Sequence, residues 1–106
     1  MRYERLKKNT DFQRLFRKGK KAYSRYLTVI YRPAANKTVM GIAISKKHGK
    51  AVKRNRIKRL IRAAFSNNVE RLNGCYSLII LPKICEEYSY ADMEKSLISC
   101  FGRMEG

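Results

Sequence analysis

Nine lysines and arginines crowd the seventeen residues from Lys46 to Arg62, and none has an acidic partner four positions away. Arginine outnumbers lysine from Arg54 onward, and its planar guanidinium suits bidentate contact with phosphate. The chemistry such a run can do is polyanion recognition. A basic stretch is ordinarily a solvated helix face whose charges are offset by i,i+4 carboxylates, and those carboxylates are missing here. The deficit extends well beyond the run. From Phe12 to Val69 there is no Asp or Glu, while 17 of the 25 basic residues lie there and supply the whole of the +17 formal charge. Self-repulsion on this scale weakens a compact state, so the pattern calls for an anionic partner. Clustered charge with a pI near 10.3 is the electrostatic footprint of nucleic-acid binding.

Other chemistries find little support. A two-metal protein nuclease needs clustered carboxylates, and the basic half of the chain has none. Glu86, Glu87, Asp92 and Glu94 are read instead as capping and solubilising residues. The lone His48 lacks a carboxylate neighbour in sequence. Cys75, Cys85 and Cys100 form no C-x-x-C pair and read as reduced, mostly buried thiols. Asn55, between two arginines, has the hydrogen-bonding capacity to meet a base, a ribose or a hydrated metal; on the residues alone the plain exposed helix residue is the preferred reading. Phe12, Phe16, Tyr23, Tyr26 and Tyr31 lie among basic residues. Stacking platforms of this kind serve single-stranded RNA; core packing is the alternative, and it stays open for each ring.

The elements that must position these residues follow from periodicity. Thr10-x-x-Gln13 reads as a capping box before a helix over Asp11–Lys18 with Phe12, Leu15 and Phe16 on one face, ended by Gly19. Tyr23–Tyr31 alternates as a strand, with room for an extra short strand at Lys20–Tyr23. Pro33–Lys37 is a turn and Thr38–Ser45 the next strand, expected to form an antiparallel hairpin with the first. Gly41 within it marks a bulge or a close approach. After a loop ending near Gly49, Ile57, Leu60, Ile61, Ala64 and Phe65 make the apolar stripe of a helix over Ala51–Asn68. Tyr76–Leu81 is apolar enough for a strand buried on both faces, ended by Pro82. Ser89 then starts a final helix whose core face is Met93, Leu97, Ile98, Phe101 and Met104. The order is α-β-β-(β)-α-β-α, an α+β (α/β sandwich) fold in one small domain, 1–106.

The second helix breaks the usual electrostatic rule. Lys50, Lys53, Arg54 and Arg56 crowd its first turns, where the macrodipole disfavours positive charge, and no Ser, Thr, Asp or Asn after Ser45 is available as an N-cap. Phosphate resolves both conflicts, because it accepts from free N–H groups and neutralises the side chains. A membrane surface is not expected as a partner. No apolar run approaches the ~20 residues of a span, and the N-terminal residues Met1–Leu6 lack the apolar core of a signal peptide. A cytoplasmic protein is the expectation.

The run Lys46-x-x-Gly49-x-Ala51-Val52-x-Arg54-Asn55-Arg56-x-Lys58-Arg59 resembles the signature of the bacterial ribonuclease P protein component. The resemblance extends over Leu6-Lys7-Lys8-Asn9-x-Asp11-Phe12-x-x-x-Phe16-x-x-Gly19, over Tyr76–Pro82 and over the amphipathic C-terminal helix, nearly the whole chain. It implies the accessory subunit of an endoribonuclease that hydrolyses one phosphodiester bond to remove the 5′ leader of precursor tRNA. Catalysis then belongs to the RNA subunit and its Mg²⁺, and the protein alone is inactive. It implies that Lys46, Lys47, Lys50, Arg54, Asn55, Arg56, Lys58, Arg59 and Arg62 face RNA, chiefly the catalytic subunit. Phe12 and Phe16 match leader-cleft aromatics, opposed by a sheet wall of Thr28 and Ile30, or Tyr26 on the same face. The family further implies a left-handed β-α-β crossover through the basic helix.

Charge and size fit a second class, a structural ribosomal-type RNA-binding protein with no processing role. The 46–59 motif together with the Phe12/Phe16 helix favours the first reading. A DNA-binding helical module needs base-reading residues on an exposed helix, and no such arrangement is evident; DNA is not expected as a partner.

Overall fold

A computed structural model describes residues 3–104. The elements are β1 (Glu4–Arg5), α1 (Asn9–Lys18), β2 (Lys20–Tyr23), β3 (Leu27–Pro33), β4 (Val39–Ile42), α2 (Ala51–Asn68), β5 (Tyr76–Pro82) and α3 (Tyr90–Arg103). Short 3-10 turns at Lys46–His48 and Val69–Arg71 flank α2. The strands form one mixed sheet in the order β1-β4-β5-β3-β2.

The central place of β5 follows from its composition. A strand apolar on both faces needs cover on both and neighbours on each edge, and Leu78, Ile79 and Ile80 have no exposed surface. β5 pairs antiparallel with β3 and parallel with β4, so it separates the two strands expected to form a hairpin. The hairpin in this region is β2–β3 instead. Proximity in sequence favours pairing β3 with β4; burial of the most apolar strand overrides it. The parallel crossover through the basic helix is β4-α2-β5.

Strand alternation divides the sheet into two faces. Leu27, Val29, Tyr31, Met40, Leu78 and Ile80 face α2 and α3 and join Ile57, Ile61, Phe65, Met93 and Leu97 in the larger core. Each fully buried side chain of this kind contributes about 1.5–3 kcal/mol relative to exposure. Phe65 is held edge-on between Tyr3 and Phe101, with ring centroids 4.7 and 5.8 Å away. The opposite face carries only α1, over a small second cluster of Leu15, Ile30 and Ile79.

Helix ends depart from expectation in one case. Thr10 does not cap α1; the helix begins at Asn9 with Lys8 at the N-cap and no side-chain cap bond. Ser89 does cap α3, accepting from the Asp92 amide. Gly19 ends α1 in an extended conformation, φ −74°. What requires glycine there is crowding: a Cβ would lie 2.5 Å from Ile30 Cγ2 and 2.6 Å from the Leu15 carbonyl oxygen.

Candidate nucleic-acid interface

The register of the sheet arranges the α1 face in three rows. Tyr23, Thr28 and Leu81 are consecutive partners across β2, β3 and β5; Lys21, Ile30, Ile79 and Gly41 form the next row; Arg32, Ser77 and Val39 form the third. α1 lies over the middle row. Leu15 packs on Ile30 and Ile79, and Phe12 stands on Gly41, where a Cβ would meet its ring at 2.6 Å. Gly41 is thus a close approach and not a bulge. Residues 14 and 16 are one step of about 100° to either side of residue 15, so Arg14 and Phe16 occupy opposite shoulders of α1. Arg14 flanks the row of Arg32, Ser77 and Val39, so Phe16, 43% exposed, lies on the flank of Tyr23, Thr28 and Leu81.

This geometry revises the expected cleft wall. Thr28 is half-buried and lies on the α1 face as expected. Ile30 is 2% exposed beneath Leu15 and Gly19; it supports α1 and presents no surface. Tyr26 does not share the face. The Ser24–Leu27 turn, in which the Ser24 amide and hydroxyl both donate to the Leu27 carbonyl, breaks the alternation and packs Tyr26 against the larger core. There the Tyr26 amide donates to Ser96 Oγ at 3.2 Å. Tyr31 also belongs to that core. Sequence reasoning leaves out of the wall Tyr23, 54% exposed, and Leu81, half-buried. The cross-strand pairing of Tyr23 with Thr28 is the signal, and it becomes readable only once β2 is recognised as a strand.

The basic run folds as two parts. Lys46 and Lys47 are exposed in the 3-10 turn, and Gly49 follows at φ 117°, a conformation that favours glycine. His48, read from sequence as incidental to chemistry, proves to be a structural clasp, 8% exposed. Its Nε2 donates to the Pro82 carbonyl at 2.7 Å, and its Nδ1 accepts from the Ser45 amide at 3.2 Å. The imidazole ties the loop to the end of β5.

α2 covers Ala51–Asn68, as its periodicity indicates. Its N-cap is the exposed Lys50, no side chain caps it, and its first turn holds no acid. Asn55, Arg56 and Arg59 are exposed along the outer surface, while Arg54, Lys58 and Arg62 are half-buried. No carboxylate among the described residues forms an ion pair with these side chains, and Arg54 Nε is buried with no hydrogen-bond partner. Lys53 is committed internally: its Nζ donates to the Glu86 carbonyl at 3.2 Å and lies over the Tyr88 ring. Lys58 and Arg62 line a groove of about 300 Å³ together with Phe12, Leu6, Gly41 and Ile42. That groove places the basic helix beside Phe12, near the start of α1.

Among the described residues, no group of three or more His, Cys, Asp and Glu side chains is placed to hold a metal ion. No helix among them is long and apolar enough to cross a membrane.

Comparison with known proteins finds relatives over nearly the whole chain. A family model described as Ribonuclease P matches residues 1–105. The chain is 40% identical over 102 residues to the ribonuclease P protein component of Bacillus cereus, covering 93% of this chain and 89% of that one. Its structure is similar to that of the RNase P protein from Thermotoga maritima, with TM-score 0.86 at 28% identity over 97% of this chain and 99% of the other. It is also similar to the Staphylococcus aureus RNase P protein, with TM-score 0.83 at 30% identity over 93% of each chain.

Proposed function

This chain belongs to the ribonuclease P protein family, and from that premise we propose that it serves as the RNA-binding accessory subunit of the tRNA-processing ribonucleoprotein. The loop and helix from Lys46 to Arg62 bind the catalytic RNA subunit. The row of Tyr23, Thr28 and Leu81, on the Phe16 flank of α1, receives the single-stranded 5′ leader of precursor tRNA. The chain holds the leader in place; the RNA subunit, with its Mg²⁺, hydrolyses the phosphodiester bond in the cytoplasm.

The observation that carries this reading is the groove in which Lys58 and Arg62 of α2 meet Phe12 of α1. It connects two surfaces of different chemistry. One is cationic, with an uncapped helix start that favours phosphate. The other presents exposed rings, Phe16 and Tyr23, on which bases stack at a gain of roughly 1–3 kcal/mol each. A strand leaving a structured RNA bound on α2 passes along the groove to the rings without crossing a carboxylate.

Leader dependence tests the proposal. The complex of this protein with a bacterial ribonuclease P RNA is expected to bind precursor tRNA more tightly than mature tRNA, and the difference should shrink when the leader is trimmed away. Equal affinity for both forms, with RNA binding intact, would favour a purely structural RNA-binding role.

A further inference from the structure

A wide cavity lies on the side of α1 away from Phe16 and Tyr23. It measures about 900 Å³ and is floored by the third sheet row, Val39, Ser77 and Arg32, with Leu15. Six cations rim it: Arg5, Lys7, Lys8, Arg14, Arg32 and Lys37, all exposed. Two carboxylates share the rim, Glu4 and Asp11, and Glu4 is taken up by an ion pair with Lys37. The excess of positive charge is therefore large. No aromatic ring is exposed in the cavity; Tyr3, its one aromatic lining residue, is 8% exposed and packed on Phe65.

The two sides of α1 thus differ in kind. The Phe16 side offers rings for bases. The Arg14 side offers charge without stacking, which suits a sugar–phosphate backbone and gives no base readout. We infer that the groove between the Arg14 shoulder of α1 and the Arg32–Ser77–Val39 row binds the phosphate backbone of the catalytic RNA subunit, so that α1 lies wedged between the leader on one flank and the RNA subunit on the other. The inference rests on the function proposed above and adds to it a second contact with the RNA subunit, which adjoins the α2 groove at Arg5, Leu6 and Lys7 and extends from there along the Arg14 flank of α1.

The test uses the reconstituted complex. Arg14→Gln/Arg32→Gln removes two charges exposed on the surface, and its thermal melt should match that of the unaltered protein. Its affinity for ribonuclease P RNA is expected to fall, with a log–log salt slope shallower by about 1.4–1.8 when two phosphates are no longer neutralised. The loss should be the same with no tRNA, with mature tRNA and with precursors of short or long leader. Arg14→Lys/Arg32→Lys, which keeps the charge, should retain most of the binding. Unchanged affinity and slope in the Gln variant would overturn the inference. So would a loss confined to long-leader precursors, which would make the groove part of the leader path, or a loss of binding to polyglutamate in place of RNA, which would assign it to an acidic protein. Failure of the unaltered protein to bind the RNA would instead reject the proposed function itself, and the inference with it.

Discussion

Phe12 rests on Gly41 with so little clearance that a single added methyl carbon at position 41 would lie 2.6 Å from its ring Cζ. This contact sets the height of α1 above β4, and with it the groove shared by Phe12, Lys58 and Arg62. Gly41→Ala is expected to displace the ring and cost about 1–3 kcal/mol, the usual penalty of overpacking. It should also lower the preference for precursor over mature tRNA. Thermal unfolding and the two tRNA affinities measure the effects separately. Full stability in the variant would show that α1 is not seated through this pair.

Phe16 lies one turn further along the helix and behaves differently, because it is 43% exposed. Phe16→Ala should cost far less stability than the roughly 3–5 kcal/mol of a truncated core phenylalanine. It should weaken binding of precursor tRNA selectively. A large drop in melting temperature, or equal weakening of both tRNA forms, would make Phe16 a packing residue. Tyr23→Ala should reproduce the selective loss, since Tyr23 belongs to the row on the Phe16 flank of α1.

Arg56 is exposed on the outer surface of α2, whereas Arg54 is half-buried with an unpartnered Nε. Alanine at either position should weaken RNA binding and reduce the salt slope by about 0.7–0.9 for each phosphate the side chain neutralises. Titration of RNA binding against salt supplies the slopes. Slopes equal to that of the unaltered protein would mean that these guanidinium groups touch no phosphate.

His48→Ala opens the clasp between the basic loop and β5. Without the imidazole, the Pro82 carbonyl and the Ser45 amide are both short of partners, at a cost of about 1–3 kcal/mol for a buried unsatisfied group. Faster amide hydrogen exchange at Ser45 and Gly49, with weaker RNA binding, is the expected signature. Unchanged exchange would show that the loop is held by other means.

Glu94 supplies a pH-dependent element where α3 meets the C-terminal end of α2. Hydrogen bonds from Asn68 Nδ2 and the Tyr90 hydroxyl hold its carboxyl below the usual range. A carboxylate with a lowered folded-state pKa contributes stability that is present above its unfolded pKa and is lost as pH falls through the folded value. Glu94→Gln should therefore lower stability in the neutral region, where the carboxylate's contribution is present, flatten the acid limb, and converge with the unaltered protein at low pH. Parallel acid limbs in both proteins would show that the carboxylate does not titrate in this network.

The sequence is most readable where one residue pattern governs one element. The stripe from Ile57 to Phe65 delimits α2, because an amphipathic helix needs only its own periodicity. Tyr76–Leu81 is equally plain, since an almost wholly apolar run bounded by proline has few other uses. Pairing is what the sequence hides. β3 and β4 are neighbours in sequence, yet β5 lies between them, and that order depends on which strand must be covered on both sides. The errors at the candidate site descend from the same cause. The family resemblance, carried along the strand by alternation, places Ile30 and Tyr26 on the cleft wall. The crowding of Gly19 against Ile30 and the turn at Ser24 are tertiary facts that no period reveals. The charge pattern survives folding better: the basic side chains of α2 form no ion pair with a described carboxylate, as the acid-free stretch implies.

The central claim is that this chain assists an RNA-catalysed cleavage. Its most direct measurement is 5′ leader removal from precursor tRNA by a bacterial ribonuclease P RNA at low Mg²⁺, with and without the protein. The protein is predicted to accelerate cleavage by the RNA and to cut nothing on its own. No acceleration, or cleavage by the protein in the absence of the RNA subunit, would contradict the claim.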